Sequence, residues 1–157
     1  MTEEAVTKAI LNWLLHNEWE IVCYDFPQSG TGRFLHPNGS KGKNKDSINP
    51  DIVAVKNDIC VFFENKSYFY YSDFEKVEAL RTYNEYSEDI EELLSFYDIH
   101  DIFYGIGYPV EAHKRKALKS LSMVDFVIGV NEQNEIIILY DKENCFDTKK
   151  NNQIKSF

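Results

Sequence analysis

The sequence predicts an α/β protein of one domain, in which helices flank a central mixed β-sheet. Apolar residues at helical spacing alternate along the chain with short runs of β-branched and aromatic residues, a pattern typical of mixed helices and strands. The 157 residues suit one domain, and 43% of them are hydrophobic, enough for a packed core. Internal repeats and linkers are not evident, so residues 1–157 are predicted to form a single domain.

Each predicted element rests on its local pattern. Val6, Ile10 and Leu14 recur at helical spacing behind Thr2, a candidate N-cap, which predicts a first helix. A short polar junction at 56–58 between two apolar runs predicts an antiparallel hairpin. The predicted order is α-β-β-β-α-β-α-β-β. Its elements are a helix over Thr2–Asn17, strands over Trp19–Asp25, Asp51–Val55 and Ile59–Lys66, a helical stretch over Asp73–Tyr97 with a candidate break near Ser87, a strand over Asp101–Gly107, a helix over Val110–Leu121, and strands over Val124–Val130 and Glu135–Tyr140.

Two segments are predicted to lie outside regular structure. Residues 26–49 are rich in glycine, proline and asparagine, which is loop composition. Residues 142–157 are predicted to form a polar tail. The loop is also locally basic. Its basic residues are Arg33, Lys41, Lys43 and Lys45.

Charge and cysteine content limit the classes of function. The net charge of −9 argues against a protein that coats nucleic acid through a bulk positive potential, but it leaves room for a local basic face. Cys23, Cys60 and Cys145 are widely separated, which favours reduced thiols in a cytosolic protein over a disulfide or zinc framework. The sequence shows neither a signal peptide nor an apolar run long enough for a membrane span. We therefore expect a cytoplasmic protein.

The predicted hairpin carries the strongest functional signal. Glu64 and Lys66 project from the same side of one strand, because side chains alternate faces. Folding the hairpin brings Asp51, at the start of the other strand, close enough to Glu64 to share a cation. Charges beside the apolar run 59–63 are costly unless they pair or bind metal. The alternative interpretation is a simple Glu–Lys pair at the exposed end of a strand.

This set of residues suits phosphodiester hydrolysis. Two carboxylates can hold a hard cation such as Mg²⁺, which polarises a phosphate and lowers the pKa of an attacking water. A nearby lysine can orient that water or offset charge that develops on the phosphate. No cluster of Cys or His in the sequence indicates a softer metal.

The motif resembles that of the PD-(D/E)xK nuclease superfamily, through Pro50-Asp51 and then Glu64-Asn65-Lys66. The resemblance implies a restriction-endonuclease-like core that cuts DNA. It also implies Mg²⁺, replaceable by Mn²⁺, held by Asp51, Glu64 and the Asn65 carbonyl, with Lys66 as the catalytic lysine. A homodimer is a further expectation from the resemblance. The chain is also similar to VRR-type nuclease modules, but Thr7 and Glu75-Lys76 stand where those modules carry glutamines.

The superfamily commonly has a further acid on an upstream helix, which Glu3 or Glu4 could provide. At about 100° per residue, Glu3 projects near the middle of the apolar arc of the first helix, and Glu4 lies toward the edge of that arc. We therefore predict Glu3 as the fourth catalytic residue. The alternative is that both acids only decorate the first turn of the helix.

Three stretches are candidates for contact with DNA. The basic residues of the 26–49 loop could clamp phosphates or read the substrate, or the loop could be a solvated insertion. The basic face over His113–Lys119 could bind phosphates or merely balance an acidic protein. The aromatic run Tyr68–Tyr71 could stack on bases, although core packing is a commoner use of such residues.

Three functions are consistent with the sequence. The first is a metal-dependent endonuclease of a restriction, repair or mobile-element system. The second is a catalytically inactive nuclease fold that binds nucleic acid or a protein partner. The third is a different α/β hydrolytic or sugar-phosphate-binding domain. The complete set of Asp51, Glu64 and Lys66 favours the first, because an inactive relative would tend to lose one member.

Overall fold

The computed structural model describes residues 1–26, 32–39 and 47–146, which form six strands and four α-helices. Short 3₁₀ turns lie on both sides of the fourth helix. In chain order the elements are α1 (Glu3–His16), β1 (Glu20–Tyr24), β2 (Ile52–Lys56), β3 (Ile59–Asn65), α2 (Tyr71–Thr82), α3 (Ser87–Leu93), β4 (Asp101–Pro109), α4 (Arg115–Leu118), β5 (Phe126–Val130) and β6 (Ile136–Asp141).

The six strands form one mixed sheet, and their spatial order is their order in the chain. Pairing is antiparallel from β1 to β3, parallel from β3 to β5, and antiparallel between β5 and β6. Asn57 and Asn134 adopt the left-handed conformation in the turns of the two hairpins, which asparagine tolerates better than most residues. The predicted α/β class with a central mixed sheet is confirmed.

Helices cover both faces of the sheet because its central strands are apolar on both sides. Ile52 and Ala54 of β2 pack in a core beneath α1, together with buried residues of β3 and β5. Val53 and Val55 face the opposite core, which α2 and α3 cover. The described helices include none long and apolar enough to cross a membrane.

The two predicted long helices are shorter in the structure. The stretch predicted over Asp73–Tyr97 is divided into α2 and α3, and the second helix begins at Ser87, where the break was predicted. Between β4 and β5, where a helix over Val110–Leu121 was predicted, α4 spans only four residues between two 3₁₀ turns. Ala117 is the one residue of α4 that is buried, so this segment has too little apolar surface to stabilise several helical turns.

The loop and tail are partly anchored where the structure describes them. Within 32–39, Leu35 is fully buried and pairs with Ile48, and the His36 amide donates to Asp89 at 2.7 Å. At the start of the predicted tail, Phe146 is buried in the core beneath α1. Residues 27–31, 40–46 and 147–157 lie outside the described part of the chain.

Candidate active site

The β2–β3 hairpin places Asp51 beside Glu64. Ile52 pairs with Phe63 in the antiparallel register, so the preceding Asp51 meets Glu64 at the edge of the hairpin. Both side chains lie on the face that α2 covers, because residues alternate faces and Val53 and Phe62 belong to that core. The backbone N–H of Asn65 donates to Asp51 Oδ2 at 2.7 Å, which holds the carboxylate toward β3.

Lys66 lies at the centre of a group of carboxylates. Its Nζ is 3.5 Å from Glu64 Oε1, 3.7 Å from Glu3 Oε1 and 3.9 Å from Asp73 Oδ1. Its backbone N–H donates to the Gly107 carbonyl at 2.9 Å, so the end of β3 is fixed against β4. The lysine therefore joins acids from α1, β3 and α2 at one edge of the sheet.

Glu3, and not Glu4, reaches this group. Thr2 caps α1 by accepting the Ala5 amide at 3.1 Å, and the first turn of the helix then directs Glu3 toward Lys66. Glu4 instead pairs with Lys8 at 3.1 Å on the exposed side of the helix. Of the two acids, Glu3 is therefore the one that lies beside Lys66, and its catalytic role stays a prediction.

Sequence reasoning missed two members of the group, Asp73 and Lys76, both on α2. Lys76 Nζ lies 3.2 Å from Glu64 Oε1, and Asp73 lies within ion-pair distance of Lys66. Asp73 Oδ2 is shielded from solvent and has no hydrogen-bond partner among the described residues. The signal that could have found them is an acid in the first turn of the helix after the motif, followed three positions later by a lysine.

Asn65 has a second, structural role on the opposite face of the sheet. Its buried side chain donates to Thr7 Oγ1 on α1 at 3.1 Å. A side chain at Gly107 would collide with the Asn65 amide and with Ile10, so glycine is needed there for α1 to pack closely. In a strand, the N–H and C=O of one residue point toward the same adjacent strand. Because the Asn65 N–H points toward Asp51, the Asn65 carbonyl points toward Asp51 as well.

Crowded carboxylates shift the pKa values of the group. Burial and the charge of Glu64 raise the pKa of Asp51 from its ordinary 3.8 to about 7, despite the Asn65 hydrogen bond and the charge of Lys66. Burial, together with the charges of Glu64 and Glu3, also raises the pKa of Asp73.

Burial acts on the pKa of Lys66 in the direction opposite to its effect on a carboxyl group. Burial acts to lower the pKa of Lys66, but the four carboxylates around it outweigh this effect and raise it. Lys66 is therefore protonated at neutral pH. A protonated lysine is suited to donate hydrogen bonds to a phosphate rather than to accept a proton.

The charge balance and the oxygen donors of the group suit a divalent cation. When ionised, the four carboxylates of Glu3, Asp51, Glu64 and Asp73 face the two ammonium groups of Lys66 and Lys76, which leaves two excess negative charges. One Mg²⁺ would neutralise them. The described residues contain no group of three or more His, Cys, Asp or Glu side chains arranged to hold a metal ion. The candidate donors are therefore the carboxylates of Asp51 and Glu64 and the Asn65 carbonyl, a set of hard oxygen ligands that water can complete.

The predicted DNA-binding loop is described only in part. Lys41, Lys43 and Lys45 lie outside the described residues. Arg33 is exposed, and its charge acts on Cys23 near the end of β1. Because β1 is antiparallel to β2, this end of β1 lies at the same edge of the sheet as Asp51.

A second basic segment follows β4. Parallel strands end at the same edge, so residues 110–119 leave β4 at the edge where β3 brings Lys66. His113 is tied to the core by a 2.6 Å hydrogen bond with the Tyr108 hydroxyl. The remaining basic residues are exposed, and none takes part in an ion pair within the described residues. They are Lys114, Arg115, Lys116 and Lys119.

The three cysteines stand apart from the charged group, and all are free thiols. Burial raises the pKa of Cys23 to about 11, an effect that Arg33 partly offsets. Burial also raises the pKa of Cys60 and of Cys145. Thiols with raised pKa values are mostly protonated at neutral pH and are therefore poor nucleophiles and poor metal ligands.

Comparison with protein-family models, curated proteins and solved structures found no match to this chain.

Proposed function

We propose that this chain is a metal-dependent nuclease with a restriction-endonuclease-like core, which hydrolyses DNA phosphodiester bonds. The observation that supports it most is the composition of the charged group at the sheet edge. Carboxylates from three elements, Glu3, Glu64 and Asp73, surround Lys66 and outnumber the two local lysines by one, and ionised Asp51 raises the excess to two. Such a group suits a divalent cation and a phosphate, because the cation balances the acids and the lysine remains available to an anion.

Each residue of the group has a distinct part in this proposal. Asp51, Glu64 and the Asn65 carbonyl would hold Mg²⁺ or Mn²⁺, and the ion would polarise the phosphate and acidify an attacking water. The Asn65 amide orients Asp51 through their hydrogen bond. Lys66, kept protonated by its neighbours, donates to a phosphate oxygen and offsets the charge that develops there.

Glu3 and Asp73 act on the lysine itself. They lie 3.7 and 3.9 Å from its ammonium group, on opposite sides of the sheet edge because one belongs to α1 and the other to α2. Holding a flexible lysine from two helices reduces the number of positions that it can adopt, which lowers the entropic cost of aligning it with the phosphate.

The exposed basic residues of the chain favour the proposal that the substrate is a polyanion. Lys114, Arg115 and Lys116 belong to the connection that leaves β4 at the edge of the sheet that carries the charged group, and Arg33 lies near the other end of that edge. In a chain with a net charge of −9, such residues give a local rather than a general attraction for phosphates. They would position a strand across the site without reading its sequence.

The test is cleavage by the purified protein of linear, supercoiled and branched DNA, and of RNA of the same sequence, with Mg²⁺ or with a chelator. We expect DNA cutting with Mg²⁺ only. Lys66→Ala should lower kcat by about 10²–10³-fold, as does loss of one donor from a preorganised site. Lys8→Ala is the matched control, because Lys8 also pairs with a glutamate but lies outside the group. Cutting in chelator, or full activity of Lys66→Ala, would contradict the mechanism.

One observation favours the alternative of a catalytically inactive module. Lys66 and Lys76 both lie within ion-pair distance of Glu64, so this carboxylate is compensated without a metal. Titration calorimetry with Mg²⁺ separates the two functions. An enzyme should bind the ion and lose binding in Asp51→Asn, whereas a protein that neither binds Mg²⁺ nor cuts any substrate would be a binding module.

A further inference from the structure

Three exposed tyrosines lie in the chain between Lys66 and Asp73, two members of the charged group. The segment from Lys66 to Tyr70 connects β3 to α2, and it runs from the candidate catalytic lysine to the residue before the helix that carries Asp73. Tyr68, Tyr70 and Tyr71 are 64%, 50% and 54% exposed. Burial of large apolar rings is a main source of stability, so three such rings left in solvent beside one site have a weak structural explanation.

The connecting segment holds these rings in place. At its start, Lys66 donates its backbone N–H to Gly107, and at its end the Tyr70 carbonyl accepts the Asp73 amide at 3.1 Å. Between the exposed rings, Phe69 turns inward and packs on the buried Phe74, with ring centroids 5.2 Å apart. The tyrosines are therefore presented outward by a segment anchored at both ends and at its middle.

The rings are arranged to accept other flat groups. Tyr68 and Tyr70 have centroids 6.4 Å apart and stand nearly perpendicular, at 88°, so they do not cover each other by parallel stacking. In this edge-to-face arrangement one ring meets a face of the other, but both side chains stay at least half exposed, so ring surface is left for planar groups. Nucleobases are planar, but in a duplex their faces are already stacked on neighbouring bases, and only their edges can be reached in the grooves.

We propose that Tyr68, Tyr70 and Tyr71 form a stacking surface for unpaired bases, so that the strand at the neighbouring charged group is single-stranded where it meets the protein. This inference rests on the proposed function and names its substrate class, which is single-stranded DNA or an unpaired segment of branched DNA. Neutral aromatic rings suit this position because base faces carry no charge, so stacking brings no further negative charge toward the adjacent carboxylates of Glu64 and Asp73. The phosphates of the same strand would be held by Lys66 and by the basic segment after β4.

The test measures binding without cutting. A single-stranded oligonucleotide that contains 2-aminopurine, whose fluorescence falls when it stacks, is titrated with the full chain in chelator, next to a duplex of the same sequence. The variants are Tyr68→Leu with Tyr70→Leu, which keeps apolar bulk without the ring, and Tyr68→Phe with Tyr70→Phe, which keeps the ring. Tyr83→Leu is the matched control, since Tyr83 is 63% exposed but follows α2 at its far end, about 18 Å away along the helix.

We expect wild type to quench the fluorescence of the single strand and to bind it more tightly than the duplex. The leucine variant should bind the single strand about 5-fold more weakly or worse, whereas the phenylalanine variant and Tyr83→Leu should bind as wild type does. Thermal unfolding of each variant shows whether it is folded. Equal weakening on single strand and duplex, or a phenylalanine variant as weak as the leucine variant, would overturn the inference.

The result also separates this inference from the proposed function. If the protein cuts DNA with Mg²⁺ but the leucine variant binds single strands as tightly as wild type does, the stacking inference is refuted and the proposed nuclease function is retained. If stacking is observed but no substrate is cut, the proposed function fails and a single-strand-binding module remains. If the tyrosine variants alter only self-association, measured by sedimentation, the surface belongs to a protein interface and the inference is overturned.

Discussion

Asp51→Asn should stabilise the metal-free protein at alkaline pH. The wild-type carboxylate is buried beside Glu64, which raises its pKa from 3.8 to about 7. Asparagine has almost the same shape, and its side-chain oxygen can still accept the Asn65 amide, but it carries no charge at any pH. The substitution therefore removes the cost of a buried charge while it retains the hydrogen bond.

The stability of the wild type depends on pH because the unfolded chain releases the Asp51 proton at a lower pH than the folded protein does. Below pH 3.8 the Asp51 carboxyl is protonated in both the folded and the unfolded chain, and its contribution to stability is fully present. As the pH rises toward about 7, the unfolded chain has lost this proton while the folded protein retains it, so the wild type becomes progressively less stable. Above that pH the loss is complete.

The size of the effect has a ceiling set by the pKa shift. A rise from 3.8 to about 7 corresponds to about 4 kcal/mol, at about 1.36 kcal/mol per pKa unit. Rearrangement and water penetration around a buried charge reduce such values in real proteins. We expect Asp51→Asn to exceed the wild type by at least ~1 kcal/mol at pH 8.5 and to match it near pH 4.

Urea denaturation in chelator, at pH values from 4 to 8.5, measures this difference. Asp98→Asn is the matched control, because the Asp98 side chain is 97% exposed and the same chemical change should leave stability within ~0.5 kcal/mol at every pH. A constant difference between Asp51→Asn and the wild type across the range would refute the reasoning, as would a lower stability of the variant at pH 8.5.

Three further predictions concern metal binding, packing and the thiols. Mg²⁺ affinity should rise with pH through about 7, since Asp51 must lose its proton to bind, and calorimetry in buffers of different ionisation enthalpy should detect proton release below that pH. Phe146→Ala should lower the free energy of unfolding by about 3–5 kcal/mol, because the ring of Phe146 is 3% exposed and packs against Trp13, Trp19 and Phe126. Phe96 is 96% exposed, so Phe96→Ala should change the same free energy, measured by urea titration, by less than ~0.5 kcal/mol. Alkylation of the thiols by iodoacetamide at pH 7.5 should be roughly 100-fold slower in the folded protein than in urea. The reason is that burial raises the pKa of Cys23 to about 11 and also raises the pKa of Cys60 and of Cys145. A thiol that reacts fast in the folded protein would contradict this prediction.

The sequence alone predicted the two hairpins, the mixed class of the sheet and the residues at the centre of the candidate site. Alternating side chains and short polar junctions are local features, so the hairpins of β2 with β3 and of β5 with β6 could be predicted from neighbouring residues. Asp51, Glu64 and Lys66 belong to this one hairpin, and strand geometry was enough to place them together. Glu3 could also be chosen over Glu4, because the angle around a helix depends only on residue spacing.

Tertiary structure alone decided which distant residues complete the group and where the chain is anchored. Asp73 and Lys76 reach the site because α2 packs on one face of the sheet, while α1 brings Glu3 from the other. Phe146, from a segment with polar composition, fills a space beneath α1 that exists only once the helix and sheet are assembled. Residue patterns report local geometry, whereas these contacts join elements far apart in the chain, and packing between those elements sets both the distances and the burial that raises the pKa of Asp51.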